Sequence, residues 1–262
     1  MTAVGSDVIV TAAADLWAAE RDREPIQPLT QRYPMLDVAG AYAVQQVNLQ
    51  RRLAAGNVVV GRKIGLTSEP MQTLLGVDEP DYGFILDDMV ITDGAVEAAR
   101  FCAPRVEPEI AFLLGRTLRG PDVSVADVRA ATESVAVALE LVDSRIADWK
   151  LTLADTVADN ASSGAVVLGE WVRYDDALAL PQTVADLHLN GVRIDSGRGT
   201  AVMGDPAAAV AWLANALAAY GVELTAGQFV MSGSFTSAAF VHAGDVATTT
   251  ISGLGVVSLT LT

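Results

Sequence analysis

Apolar residues recur at helical spacing in the first part of the chain and give way to short apolar runs with two-residue alternation after residue 57. Val8, Ala12, Leu16 and Ala19 predict a helix over 7–22. Pro25, Pro28 and Pro34 then impose an irregular connection. Asp37 reads as the N-cap of a second helix whose apolar side is Ala41, Val44, Val47, Leu49 and Leu53, stopped at Gly56. From Val58 the pattern turns to strands, first the β-branched run into Gly61-Arg62-Lys63-Ile64-Gly65. Residues 69–76 read as a short helix, Phe84 to Val90 as a strand, and Asp93-Gly94 as a hairpin signal. Residues 123–137 read as a helix with Ser124 as N-cap and Asp127 at N3, leading into a strand that ends at Glu140. Strands over Val166–Gly169, Leu187–Leu189 and Val192–Ile194 follow, the last two joined by a turn at Asn190-Gly191. Gly197–Gly199 reads as a loop, and Asp205, Pro206 and Gly221 bracket a helix ending at Tyr220. Strands at Phe229, Val246–Thr250 and Val256–Leu261 close the chain.

The pattern predicts an α+β chain of one domain, 1–262, with a helical N-terminal part (1–57) and a β-rich core (58–262). Composition narrows the function. With 17 Lys+Arg against 32 Asp+Glu the net charge is −15, which argues against nucleic acid and anionic membranes as partners. No apolar run reaches the roughly 18 residues of a membrane span. The first residues lack a basic stretch, so no secretory signal is expected. Cys102 is the single cysteine, so no intrachain disulfide forms and a cytoplasmic location fits. With no histidine nearby it reads as an inert thiol.

Chemistry concentrates in Arg105-Val106-Glu107-Pro108-Glu109 and in Glu140. On a strand, Glu107 and Glu109 point to one face. Glu140 lies inside an apolar segment, where a lone acid needs a partner. Three carboxylates make an all-oxygen site suited to Mg²⁺ or Mn²⁺. The alternative is two solvated acids and one paired with an arginine. Lys63 shares its face with Gly61 and Gly65, which leaves room for a ligand. It can be an acid or base, a carboxylate anchor, a Schiff-base nucleophile or an ordinary edge-strand lysine. Asp81, in Asp78-Glu79-Pro80-Asp81-Tyr82-Gly83, is either catalytic or a turn former. Arg145 can pair with Asp143 or with a substrate carboxylate. The small polar loop Asp155–Gly164 can donate to an oxyanion or simply form a turn.

Four blocks taken together, Gly61–Ser68, Gly76–Gly83, Glu107-Pro108-Glu109 with Glu140–Ile146, and Asp155–Gly164, resemble the 2-keto-4-pentenoate hydratase and 4-oxalocrotonate decarboxylase family of the fumarylacetoacetate hydrolase-like superfamily. The resemblance runs from about residue 7 to the end. It implies a mixed β-sheet roll with a barrel-like core, a homo-oligomer, and Mg²⁺ or Mn²⁺ on Glu107, Glu109 and Glu140. It implies 2-hydroxydienoate substrates from meta-cleavage of aromatic or steroid rings, hydrated at C4 to 4-hydroxy-2-oxo acids. Lys63 and Asp81 are then expected to move protons or anchor the carboxylate. Asn160, Ser162, Ser232, Ser234 and Arg145 are expected to fix substrate or water. Gly65, Leu66, Leu74 and Phe235 are expected to shape the pocket for the substrate's tail.

The decarboxylase branch is the nearest alternative, sharing metal and lysine. A C–C hydrolase usually needs a His–acid pair, and the two histidines, His188 and His242, lie among the C-terminal strands away from every block. A Schiff-base aldolase would not need the three carboxylates. A silent assembly subunit for another enzyme of the pathway would be free to lose them.

Overall fold

The computed structural model describes residues 4–68, 72–73 and 76–262. Parts of the expected 69–76 helix, and Leu74 with it, lie outside the described residues. Three helices open the chain: α1 (Ser6–Asp22), the short α2 (Leu29–Arg32) in the proline-rich connection, and α3 (Val38–Ala54). Asp37 caps α3 as the sequence predicts, its carboxylate accepting from the Gly40 amide at 2.8 Å. Leu16, Ala41 and Val44 of α1 and α3 pack with Val157 in a cluster of their own.

Most of the other described residues form two sheets and the helices between their strands. The strands are β1 (Val59–Gly65), β2 (Asp81–Leu86), β3 (Val90–Ile91), β4 (Ala95–Val96), β5 (Arg105–Leu114) and β6 (Thr132–Val142). After them come β7 (Ser163–Leu168), β8 (Val172–Arg173), β9 (Val184–Leu189) and β10 (Val192–Arg198). Last are β11 (Phe229–Met231), β12 (Ala239–Phe240), β13 (Val246–Ile251) and β14 (Gly255–Leu261). Between them stand α4 (Val125–Ala131), α5 (Leu153–Ala158) and α6 (Pro206–Ala218). The larger sheet runs β2-β1-β11-β5-β6-β7-β3, with β12 on β5 and β8 on β6. The smaller runs β10-β9-β13-β14-β4. The β1–β11 and β3–β7 pairs are parallel, so the larger sheet is mixed. It also curls, because β2 and β7, far apart in strand order, approach each other.

The curl separates two apolar layers. Val135, Val137, Leu139 and Leu141 on one face of β6 meet Leu187, Ala247 and Leu259 of the smaller sheet. Ala138, Ala111, Met231 and Phe84 line the concave side. Burial on both faces explains why the helix expected over 123–137 stops early. Ser124 and Asp127 do form a capping box, but α4 ends at Ala131 and the chain is already β6 at Thr132. Packing of alternate Val and Leu residues outweighs the helical reading of that run. The Asp93-Gly94 turn also differs from expectation. It joins β3 of the larger sheet to β4 of the smaller one, so it makes no hairpin. Gly197 and Arg198, expected in a loop, extend β10. The Asn190-Gly191 hairpin forms, with φ of 53° and 80°. One stretch, Gly199–Ala218, is long and apolar enough by composition to cross a membrane. Here it contains α6, whose Val210, Leu213 and Leu217 are buried in the core.

Candidate active site

Strand register alone brings the acids together. In the antiparallel β5–β6 pair, Glu107 stands opposite Glu140, and Glu109 follows two residues along the same face. One oxygen from each can be chosen so that all lie within 4.8 Å of one another. The same face carries Lys63. Lys63 pairs with Met231, Met231 with Ala111, and Ala111 lies two residues from Glu109. Asp81 pairs with Gly65, one step along that face from Lys63. Gly65 is needed here, since a Cβ would collide with the Asp81 carboxylate and crowd the Lys63 ammonium.

Lys63 is buried. Its Nζ donates to the Ala161 carbonyl at 2.7 Å and stands 3.5 Å from Glu140 Oε1. The carbonyl is aimed by an unusual backbone. Asn160, Ala161 and Ser162 are successive left-handed residues with φ of 55°, 51° and 54°. The Asn160 side-chain amide pins this turn to β2, accepting from the Phe84 amide at 2.9 Å and donating to the Phe84 carbonyl at 3.0 Å. Asp81 accepts from the Thr156 hydroxyl at 3.3 Å, and Thr156 shares a hydrogen with Ser162 at the same distance. Glu109 accepts from the Gly233 amide at 2.8 Å.

The electrostatics are lopsided, with four carboxylates and one ammonium on one buried face. Burial pushes Glu107 up to about 7, helped by the neighbouring Glu140. Burial and the adjacent glutamates raise Glu109 well above its usual range. Burial likewise raises Glu140 and Asp81, each opposed by Lys63. Burial on its own would lower Lys63, but Glu140, Asp81, Glu107 and Glu109 outweigh it and keep the ammonium protonated. Both Glu140 oxygens are buried and accept no hydrogen bond from a described residue. A buried carboxylate balanced only by its ion pair with Lys63 and facing two further acids fits a hard divalent cation, and these residues can hold one.

The other expected residues divide. Ser162 joins the Asp81 chain. Ser232 is fully buried with a hydroxyl that meets no partner among the described residues. Ser234 is spent locally, its hydroxyl donating to the Thr236 carbonyl at 2.9 Å. Leu66 follows Gly65 in a left-handed conformation (φ 56°) and its carbonyl accepts from Gln72. Two expectations are corrected. The Asn160 amide is consumed by Phe84, so it holds the backbone turn and is not free for substrate. Arg145 is buried and bound to the Asp159 carboxylate, with further bonds to the Asp159 and Ser163 carbonyls. Its guanidinium is thereby withheld from a substrate carboxylate. The site also uses the Ala161 carbonyl, the Gly233 amide and the Thr156 hydroxyl. The first two are main-chain groups with no residue-type signature, whereas Thr156 lies within Asp155–Gly164. Cys102 is half-buried, and burial followed by Asp143 pushes its thiol up to about 12, as expected of an inert group. His188 lies on β9 of the smaller sheet, and His242 is exposed beside Asp245.

Residues 57–262 match the fumarylacetoacetate (FAA) hydrolase C-terminal family, and the chain belongs to that family. The full length is also similar to particular enzymes. It is 44% identical to 2-hydroxyhexa-2,4-dienoate hydratase of Comamonas testosteroni, covering 97% of each chain. It is 43% identical to 2-keto-4-pentenoate hydratase of Paraburkholderia xenovorans, covering 93% of this chain and 91% of that one. Among solved structures, 4-oxalocrotonate decarboxylase from Pseudomonas putida G7, complexed with magnesium and adipate, superposes with a TM-score of 0.96 at 34% identity over the whole of both chains.

Proposed function

We propose that this protein is a metal-dependent hydro-lyase that hydrates 2-hydroxypenta-2,4-dienoate-type acids, through the 2-oxo-3-enoate, to 4-hydroxy-2-oxo acids in meta-cleavage breakdown of aromatic or steroid rings. The observation that carries this is the three-glutamate cluster on one face with buried Lys63 and Asp81. Similarity to two hydratases at 43–44% identity, against 34% to the decarboxylase, supports the hydratase branch.

Glu107, Glu109 and Glu140 would hold Mg²⁺ or Mn²⁺, the choice favoured by oxygen-only donors. Such an ion supplies Lewis acidity to the substrate's 2-oxygen when bound. Lys63, kept protonated by its neighbours, offers a proton at Nζ and positive charge for a substrate oxygen. Asp81, with its raised affinity for protons, exchanges a proton with the carbon chain or with the water that adds at C4. Thr156 and Ser162 hold the Asp81 carboxylate in place. The unpartnered Ser232 hydroxyl is the group left to bind substrate or water, and Leu66 borders the tail. The homo-oligomer and any association with other pathway enzymes belong to the same reading. Light scattering of the pure protein, alone and mixed with them, tests both.

The test offers metal-loaded protein 2-hydroxypenta-2,4-dienoate and 2-hydroxymuconate separately. Conversion of the first to a 4-hydroxy-2-oxo acid, abolished by EDTA, supports the hydratase. Release of CO₂ from the second in its place establishes the decarboxylase reading, which the TM-score of 0.96 favours. Inactivity on both, with metal bound, refutes the two together.

A further inference from the structure

Arg105 opens β5 and shares its face with Glu107 and Glu109. Its guanidinium carbon stands over two rings, 4.0 Å from the centroid of Phe240 and 4.2 Å from that of Trp149. Both rings are carried by elements tied to β5 or its approach. Phe240 pairs with Arg105 across the β5–β12 ladder, and Trp149 Nε1 donates to the Ala103 carbonyl at 3.1 Å. The two rings engage the cation through their π faces, and no N–H of the guanidinium donates to a described residue. Arg105 forms no ion pair with Glu107, and its Nε is buried without a partner among the described residues. Phe240 is 52% exposed, so this stack stands at the rim of the acid-lined site. Arg62 also has a partnerless Nε, but it neighbours Lys63 on β1 and so faces away from the site.

We infer that Arg105 is a carboxylate receptor at the mouth of the site, binding a carboxylate of the substrate through its free edge. Four acids against one lysine and a divalent cation still leave the site negative, and a cation beside Glu107 offsets the repulsion an organic anion meets as it enters. Planar, pre-oriented N–H donors match a carboxylate in two-point contact. The substrate's identity as a 2-oxo or 2-hydroxy acid rests on the proposed function; the carboxylate preference rests on the stack alone.

The experiment is calorimetric titration of the Mg²⁺-loaded protein with pyruvate and with 2-oxoadipate, which share the C1 end and differ in a distal carboxylate. Arg105→Gln is expected to weaken binding about 10- to 100-fold, for both acids if C1 is the group received and for 2-oxoadipate alone if the distal one is. Arg105→Lys should recover part of the loss. Phe240→Leu, a change at an exposed ring, keeps the charge and should weaken binding only about 2- to 5-fold. Unchanged affinity for both acids in Arg105→Gln overturns the inference, as does failure of the wild type to bind either. A parallel fall in Mg²⁺ affinity or melting temperature also overturns it, because Arg105 would then be structural. Binding is read without turnover, so an inactive wild type would count against the hydratase reading and leave this result standing.

Discussion

Lys63→Met separates catalysis from metal binding and from folding. The wild-type ammonium is a buried cation set among Glu107, Glu109, Glu140 and Asp81, bonded to the Ala161 carbonyl at 2.7 Å and 3.5 Å from Glu140. Methionine keeps most of the unbranched length and removes the charge. Removing one partner of a buried ion pair typically costs about 3–5 kcal/mol, because the remaining charge is left uncompensated. The metal-free variant should therefore melt well below wild type at pH 8. The deficit should shrink at pH 5, where the carboxylates take up protons. Metal affinity moves the other way: the ammonium repels a cation from Glu140, so Mg²⁺ should bind the variant at least as tightly. Activity is the third readout. Acid–base work is worth roughly 10²–10⁴ in rate, or about 2.7–5.5 kcal/mol of barrier. Calorimetry for Mg²⁺, thermal melts at two pH values and kcat at saturating metal and dienoate test all three. A variant within tenfold of wild-type kcat, or one that has lost Mg²⁺, refutes the reasoning.

Glu140→Gln removes a charged donor from the cluster and should weaken Mg²⁺ binding more than about tenfold by calorimetry. The metal-free protein should lose stability as pH rises. Glu107, held at about 7 when folded against 4.5 ordinarily, binds a proton between those values that the unfolded chain has released. Melting temperature in EDTA should therefore fall from pH 5 to pH 8, with Mg²⁺ restoring more at pH 8; a rise in EDTA would contradict the electrostatics. Asn160→Ala strips two bonds from Phe84 and puts alanine in a left-handed turn, costing about 2–4 kcal/mol in denaturant unfolding. Its kcat should fall at least tenfold as the Ala161 carbonyl drifts from Lys63.

Much of this was legible because it depended on local rules. Period-two alternation places Glu107 and Glu109 on one face, Asp37 acts on an amide three residues away, and Asn190-Gly191 acts through its own backbone. The limits fall where distant packing decides. Residues 132–137 carry a pattern that either a helix or a doubly buried strand accepts, and only the second sheet beneath β6 selects the strand. Asp93-Gly94 makes a tight turn, but the turn cannot say whether its flanking strands pair with each other. Asn160 and Arg145 sat in the right blocks with the right donors. Their heads turned to Phe84 and Asp159, partners that chain order does not reveal. Arg105 opens the same stretch as the acids, yet the rings around it come from Trp149 and Phe240, far along the chain.

The helices before residue 57 lie outside the matched family region, and they still bear on the chemistry. Asp81 is carried by β2 and its partner Thr156 by α5, two elements far apart in sequence. Gln45 of α3, 2% exposed, donates one amide nitrogen to both the Tyr82 carbonyl at 3.0 Å and the Val157 carbonyl at 3.1 Å. Each acceptor is the residue after Asp81 or Thr156. Tyr42, also on α3, stacks on Tyr82 with centroids 4.4 Å apart. From the other side, Asp155 accepts from the amide and hydroxyl of Thr30 at 3.0 and 2.9 Å. The helices thus clamp the two backbones whose spacing sets the Asp81–Thr156 bond. Orphaning the two buried carbonyls would cost about 1–3 kcal/mol each, and a displacement of about 1 Å at a reacting group can cost 10²-fold in rate. The energetic weight of α3 on the proposed proton path is therefore comparable with that of residues inside the site.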